Sequence, residues 1–299
     1  MILKILSKSR KRRKESFDGW LFMLPVLILV IVFFIIPAVQ ALYFSFFKFS
    51  LLSTDMKFVG FRNYLAVFHD TVFLRALFNT FLYTIVVVPV QLVIALILAL
   101  IANTKIWGKE FYRTAYYIPT LTSSVALVII FMFLFKQNGI FNMLLGLVGI
   151  QPIAFFNNPG LALPGVMMMA IWASVGLYMI IFLGGLQNIP RSLYEAAEID
   201  GANKWQQLLH ITIPQLKPTI FFNLVVSFIG CLQIFDLAFI VSGGNGGPLD
   251  STMTVVLYLY NTGFKSFQMG YASAIAFVLF LIIFILTLIQ KQIFKEEMG

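Results

Sequence analysis

The sequence predicts an all-α, polytopic membrane protein of six transmembrane helices, and three observations carry that expectation. The first is composition. The 299-residue chain is 60% hydrophobic, 16% aromatic and 11% charged, with a mean hydropathy of +0.93, whereas soluble domains carry about a quarter charged residues. The second is the presence of six windows of mostly apolar residues, about 20–47, 76–103, 115–135, 161–183, 219–241 and 270–290. Each is long enough for a helix to cross roughly 30 Å of hydrocarbon, and too continuous for an alternating barrel strand. The third is charge placement. With six spans the two ends share a side, and that side holds 15 of the 21 Lys and Arg residues, which makes both termini cytoplasmic by the positive-inside bias.

The elements follow in chain order. Residues 1–19 form a basic tail carrying Lys4, Lys8, Arg10, Lys11, Arg12, Arg13 and Lys14, suited to a cytoplasmic position and to contact with anionic lipid. The net charge of +9 is concentrated there, which argues against a nucleic-acid binder. The first span is too long for a removable signal peptide and reads as an uncleaved anchor, kinked by Pro25 and Pro37. An outside loop, 48–75, contains Phe58-Val59-Gly60-Phe61-Arg62-Asn63-Tyr64, an aromatic segment of the kind that anchors at an interface. The turn 104–114 is short and basic, with Lys105, Lys109 and Arg113. Pro119, Pro164 and Pro218 stand near the starts of the third, fourth and fifth spans, where a missing amide hydrogen costs little.

Between spans four and five, residues 184–217 form the longest polar break. A short helix is predicted over 192–199, with Ser192 as N-cap and Glu195 as its capping-box partner. Asp200 and Gly201 break it, a second helix runs over about 203–211, and Pro214 stops that. The result is a protruding knuckle, with Ala196 and Ala197 small enough for close approach of a partner and Trp205, Leu208 and Leu209 pinning it to the span ends. Residues 243–260 begin with Gly243-Gly244-Asn245-Gly246-Gly247-Pro248, a sharp outside turn, and 291–299 form a cytoplasmic tail.

Several chemistries are excluded. Cys231 is the single cysteine and lies in a span, so no disulfide framework or thiol metal site is expected. His69 and His210 fall on opposite sides of the membrane, which removes a shared metal or catalytic pair. No G-x-x-x-x-G-K-[ST] phosphate loop or H-E-x-x-H helix occurs. The chain is thus not expected to be an enzyme, to hold a cofactor or metal, or to supply ATP chemistry of its own.

In the knuckle, Glu195-Ala196-Ala197 is followed after three residues by Gly201, and after nine more by Ile211-Thr212-Ile213-Pro214. On these residues the chain resembles the membrane-spanning permease subunits of ABC importers, whose shared cytoplasmic loop reads E-A-A, three residues, G, nine residues, I-x-L-P; Ile213 stands where the leucine would be. The F-V-G-x-x-N-Y segment, the G-G-P loop with Thr252, Tyr258, Tyr260 and Phe264, and the run Met269-Gly270-Tyr271-Ala272-Ser273-Ala274 are similar to the F-type branch that serves maltose, glycerol-phosphate and oligosaccharide importers. The resemblance covers about residues 20–290 and implies a MetI-like, type I permease core. It implies partners as well: a homologous G-type permease, two cytoplasmic ATPase subunits that bind ATP and Mg, and an extracytoplasmic solute-binding protein. Glu195, Ala196, Ala197, Asp200, Gly201, Ile211 and Pro214 are the ATPase-coupling positions it implies.

A sugar needs polar groups and aromatic faces around a cavity, and polar side chains inside spans are costly enough to suggest function. Asn223, Ser227, Gly230 and Gln233 fall within a sector of roughly 120° on the fifth span, and Trp172, Ser174 and Tyr178 lie on the fourth. The resemblance places Ser174, Gly230 and Gln233 at or beside sugar contacts, while Ala173, Leu177, Val226 and Ile229 replace other contacts by apolar groups, so the sugar need not be maltose. Small and polar residues at these places also serve helix packing. Asp236, the lone acidic residue inside the predicted spans, is open to two readings, a proton site or a structural or gating hydrogen bond. An ABC permease for another solute, and a self-contained secondary transporter, are the alternatives to a sugar importer subunit.

Overall fold

The computed structural model describes residues 20–50, 52, 55–104 and 108–298; the basic tail and Lys105 lie outside them. The first span is α1 (Trp20–Ser45). Pro37 has no amide to donate to the carbonyl four residues back, and the helix absorbs the lost bond in a π-turn over Ile31–Ile35. A two-residue antiparallel pair follows, β1 (Phe47–Lys48) with β2 (Lys57–Phe58), and then the short helix α2 (Arg62–His69). The second span, α3 (Thr71–Asn103), has 33 residues, about 50 Å at 1.5 Å per residue.

The third predicted span, 115–135, is not one helix. It is two, α4 (Lys109–Leu121) and α5 (Ser124–Leu134), bent by 100° at the intervening pair. Pro119 lies in the last turn of α4, not near a helix start. It cannot donate to the turn before it, while the Thr122 hydroxyl competes for the Ile118 carbonyl at 3.2 Å and the backbone of Thr122 and Ser123 is extended. A short α6 (Ile140–Leu147) leads to the fourth span, α7 (Pro159–Gln187), and then to the knuckle helices α8 (Arg191–Ile199) and α9 (Lys204–Gln207).

The fifth predicted span is also interrupted. It divides into α10 (Lys217–Leu232) and α11 (Asp236–Val241), with Gln233, Ile234 and Phe235 between them. The segment expected to be a simple outside turn contains α12 (Val255–Tyr260) and a π-turn over Asn261–Lys265, and the last span is α13 (Met269–Met298).

Two of the three apolar cores place most of these pieces, the third packing α5 against α7 through Leu127, Phe131 and Met169. The larger joins α3, α7 and α10 through Val87, Ala95, Val166, Met179, Phe182 and Leu216. Small residues let α4 reach α7. At Gly176 an added Cβ would stand 2.1 Å from the Tyr116 carbonyl oxygen, and the Thr120 hydroxyl donates to the Ala173 carbonyl at 2.9 Å. The second core unites the start of α3 with α12 and α13 through Phe73, Ala76, Val255, Leu257 and Ile275.

Polar bonds fasten this end of the bundle. The Asn79 amide donates to the Asp250 and Met253 carbonyls at 2.8 and 2.9 Å. The Val255 amide donates to the Thr80 hydroxyl at 3.0 Å. Asp70 caps α3, accepting from the Val72 and Phe73 amides, and also accepts from the Tyr258 and Tyr271 hydroxyls. Burial raises the Asp70 pKa, but the Tyr258 and Tyr271 hydroxyls and the two amides more than offset it, so the carboxyl sits below its usual range. A group held low in the folded state contributes stability that is present above the unfolded carboxyl value near pH 4 and is lost as pH falls through the folded value. Asp70→Asn is therefore expected to melt lower than the parent at pH 7, with the gap closing as the solution is taken from about pH 5 to pH 3. Thermal unfolding of the purified protein across that window checks it, and a gap independent of pH would refute it.

Candidate functional site

The two broken spans meet around an open cavity of about 450 Å³. Thr120, Thr122 and Ser124 enter its wall from the α4–α5 bend, and Gln233 and Asp236 from the α10–α11 break; α7 supplies Ser174 and Tyr178, and α10 supplies Ser227 and Gly230. Non-helical backbone at membrane depth is tolerated where it lines such a space. Of the seven residues proposed from sequence for substrate contact, five line the cavity: Ser174, Tyr178, Ser227, Gly230 and Gln233.

The other two lie elsewhere. Trp172 is 47% exposed and packs on Phe131 with ring centroids 5.6 Å apart. Asn223 is fully buried one turn from Ser227, and its amide has no partner among the described residues. Helical spacing put Asn223 on the Ser227 face, but the structure buries it outside the cavity wall.

Gln91 went unnoticed in the sequence. It is 2% exposed and binds at both ends of its amide, accepting from the Ser174 hydroxyl and donating to the Ser227 hydroxyl, with Cys231 Sγ at 3.9 Å. One side chain of α3 thereby links the two hydroxyls proposed from sequence on α7 and α10. The signal was present. Gln91 is the single polar residue between Ile85 and Ala102, and the argument that polar groups inside spans suggest function applies to it as well. Tyr83 of the same helix also lines the cavity. Asp236 is the charged residue among the described lining groups, at the start of α11, and accepts from the Ser124 hydroxyl at 3.5 Å. The wall is thus dominated by neutral donors and acceptors beside apolar faces, a chemistry suited to hydroxylated, uncharged groups.

At the far end of α7 the knuckle differs from expectation in its caps. α8 begins after Pro190 without a side-chain cap, so Ser192 is not the N-cap. The capping box is Asn203 with Gln206, at the head of α9. Gly201 does turn the chain, at φ +78°. Its amide donates to the Glu198 carbonyl at 3.2 Å and the Ala202 amide to the Ala197 carbonyl at 2.8 Å, the paired bonds that end a helix at a left-handed residue. Pro214 does not stop a helix. A π-turn over Leu208–Thr212 absorbs its missing donor, and the chain continues helically toward α10.

Trp205 and Leu209 do not pin the knuckle, being 67% and 42% exposed. It is held instead by buried Thr212 and Leu216 and by the hydrogen bond between the Tyr194 and Thr212 hydroxyls at 2.9 Å. Ile211 packs partly against the main core, while Pro214 is exposed. Glu195, Ala196, Asp200 and Gly201 are exposed and Ala197 half-buried. A concavity of about 350 Å³ is bounded by Ala197, Asp200, Gly201, Gln207, His210 and Ile211. Glu198 pairs with Lys204 at 2.5 Å, and hydrogen bonds from Lys204 and Gln207, then the charge of Lys204, hold its carboxyl below the usual range.

The comparison with protein families decides what this arrangement belongs to. A family model described as "Binding-protein-dependent transport system inner membrane component" matches residues 64–296. The chain belongs to that family. It is a multi-pass permease, a membrane transport subunit. Among curated relatives, the "Probable ABC transporter permease protein YesP" of Bacillus subtilis is 42% identical, over 95% of this permease and 92% of that protein. The lactose transport system permease protein LacF of Rhizobium radiobacter is 36% identical over 97% and 98%, and the arabinooligosaccharides transport system permease protein AraP of B. subtilis 35% over 93% and 90%. Among solved structures, a chain of the bacterial alginate ABC transporter in complex with alginate pentasaccharide-bound periplasmic protein superposes with a TM-score of 0.83 at 22% identity, covering 97% of this permease and 98% of that chain. That likeness establishes the shared fold.

Proposed function

We propose that this permease forms part of the translocation path for a sugar or oligosaccharide, with residues 20–290 as the membrane domain and both termini on the cytoplasmic side. The observation that carries the reading is the cavity wall. Thr120, Thr122, Ser174 and Gln233 offer hydroxyls and amides at the wall, Gln91 and Ser227 stand behind them bonded to each other, and Tyr83 and Tyr178 add largely buried aromatic rings. Sugars hydrogen-bond to the first kind of group and stack on the second. The transport names of relatives, among them lactose and arabinooligosaccharides, support the same substrate class.

The permease works beside a homologous G-type permease, above two ATPase subunits that bind ATP and Mg, and receives substrate from an extracytoplasmic binding protein. The segment 184–217 is the coupling loop. Its exposed Glu195 and Ala196 stand beside exposed apolar Ile199 and Trp205, a surface suited to burial by a partner. Closure of the ATPases moves this knuckle, and the spans rock as rigid bodies to change the side on which the cavity opens.

In proteoliposomes holding the complete importer, sugar uptake is expected to require ATP and the loaded binding protein, and liposomes with this permease alone should show none. Glu195→Lys puts a positive charge where an anion is expected to meet a basic groove. Uptake should fall to background while the subunit remains inserted and ATP hydrolysis stops responding to the loaded binding protein. Normal uptake with responsive hydrolysis in that variant would refute the coupling role of Glu195.

A further inference from the structure

At the end of the bundle away from the coupling loop, the segment between α1 and α3 carries a feature that transport does not use. Phe61, Leu65 and Phe68 are 70%, 63% and 56% exposed. Their spacing of four and then three residues places them within about 60° on one side of α2. The opposite side is anchored: Val67 is fully buried, and the Asn63 amide donates to the Ser45 and Phe47 carbonyls at 2.7 and 3.0 Å. A short helix fixed along one edge with an aromatic and aliphatic stripe facing outward, next to the ends of membrane spans, has the form of an element lying in the interface plane.

Beside this stripe is a second observation, a cavity of about 440 Å³ between β1, α2 and α13, lined by Lys48, Ser50, Arg62, Asn63, Gln268 and Tyr271. Neither the Lys48 nor the Arg62 side chain has a hydrogen bond or ion pair among the described residues. Lys57 lies directly opposite Lys48 in the strand pair, and like charges facing across strands destabilise the pair. Asp70 forms no ion pair with them among the described residues; its oxygens accept from two amides and two tyrosine hydroxyls. The segment thus sets unpaired cations around a pocket at the edge of an apolar stripe.

We infer that this pocket binds an anionic phospholipid, its phosphate between Lys48 and Arg62 and its acyl chains against Phe61, Leu65 and Phe68. Cations at membrane-surface depth attract anionic headgroups, and the apolar stripe supplies the contact that a soluble phosphate lacks. The occupant is a lipid and not a docking protein because the stripe and the pocket adjoin span ends at the level where the aromatic residues Phe47, Phe49 and Phe58 gather.

The test is phosphatidylglycerol binding to the complete importer in neutral detergent, followed by native mass spectrometry. The parent is expected to retain one more phosphatidylglycerol than Lys48→Gln/Arg62→Gln, whose affinity should fall about tenfold or more, the loss of two interfacial cations. Leu65→Gln, which leaves the cations in place, should weaken binding as well, and millimolar inorganic phosphate should not compete. A photoactivatable phosphatidylglycerol on the parent should crosslink within residues 58–68, a readout that needs no variant to fold. Equal retention by parent and both variants, or crosslinks confined to other segments, would overturn the site. So would displacement by inorganic phosphate, which would make the pocket a soluble-anion site. Unchanged lipid binding by the double variant, together with lost stimulation of ATP hydrolysis by the loaded binding protein, would make it a protein dock and overturn it equally.

Discussion

Gly176→Ala is expected to disable the subunit, and Gly176→Val to prevent its accumulation. The new Cβ would stand 2.1 Å from the Tyr116 carbonyl oxygen and 3.0 Å from the Tyr117 Cα. Both are backbone atoms, so no side-chain rotation relieves the clash, and α4 must move off α7 by more than about 1 Å. Overpacking of this kind typically costs about 1–3 kcal/mol, and the larger valine goes beyond it. The damage would reach the cavity directly. One turn away the Thr120 hydroxyl is bonded to the Ala173 carbonyl, and Thr120 and Thr122 line the wall. Gly184 is the natural control, because it lies in the same helix and an added Cβ there meets nothing within 4 Å. Gly184→Ala should be neutral or gain up to about 1 kcal/mol in helix propensity. Thermal unfolding of the two variants side by side decides the matter, and equal stability would show that α4 yields without cost.

Gln91→Leu should leave the subunit inserted and assembled yet lower the efficiency of uptake by about one to two orders of magnitude. The amide bridges Ser174 of α7 and Ser227 of α10. Removing it deletes two buried hydrogen bonds and leaves the Ser227 hydroxyl in a fully buried position. Each lost bond costs about 0.5–1.5 kcal/mol, so the two together correspond to roughly 10- to 100-fold. The Ser174 hydroxyl retains the Ala170 carbonyl at 2.7 Å, which limits the damage to the helix itself. Because Gln91 lies far from the knuckle, hydrolysis by the assembled ATPases without substrate should be unchanged. The expected signature is thus a raised KM with assembly intact. An unchanged KM with an unchanged maximal rate would show that the bridge only fills space.

The spans and the knuckle were legible in the sequence because both are local. Apolar runs long enough to cross hydrocarbon report themselves by composition, and the positive φ of Gly201 follows from a residue that alone adopts it freely between two short helices. The interruption at Thr122 and Ser123 had a local signal, the polar cluster Pro119-Thr120-Leu121-Thr122-Ser123-Ser124 inside the run 115–135, which an average over the whole apolar window hides. Hydropathy measures only the cost of leaving water and does not register which backbone bonds close.

The cavity shows the same division. Periodicity placed Ser227 and Asn223 on one face of their own helix, but only packing could distinguish them. Gln91 of α3 meets Ser227, while Asn223 is buried away from the cavity with no hydrogen-bond partner among the described residues. Trp172 lies two residues from Ser174, yet Phe131 holds it outside the cavity. The sequence by itself therefore determined that this chain holds five to six segments long and apolar enough to cross a membrane, and where its polar knuckle and costly intramembrane groups lie, because these are properties of single segments in lipid. The tertiary structure alone decided which groups share a cavity. That depends on how far helices approach, as at Gly176, on the angle at which they break, and on how each is rotated against its neighbours, none of which a single segment encodes.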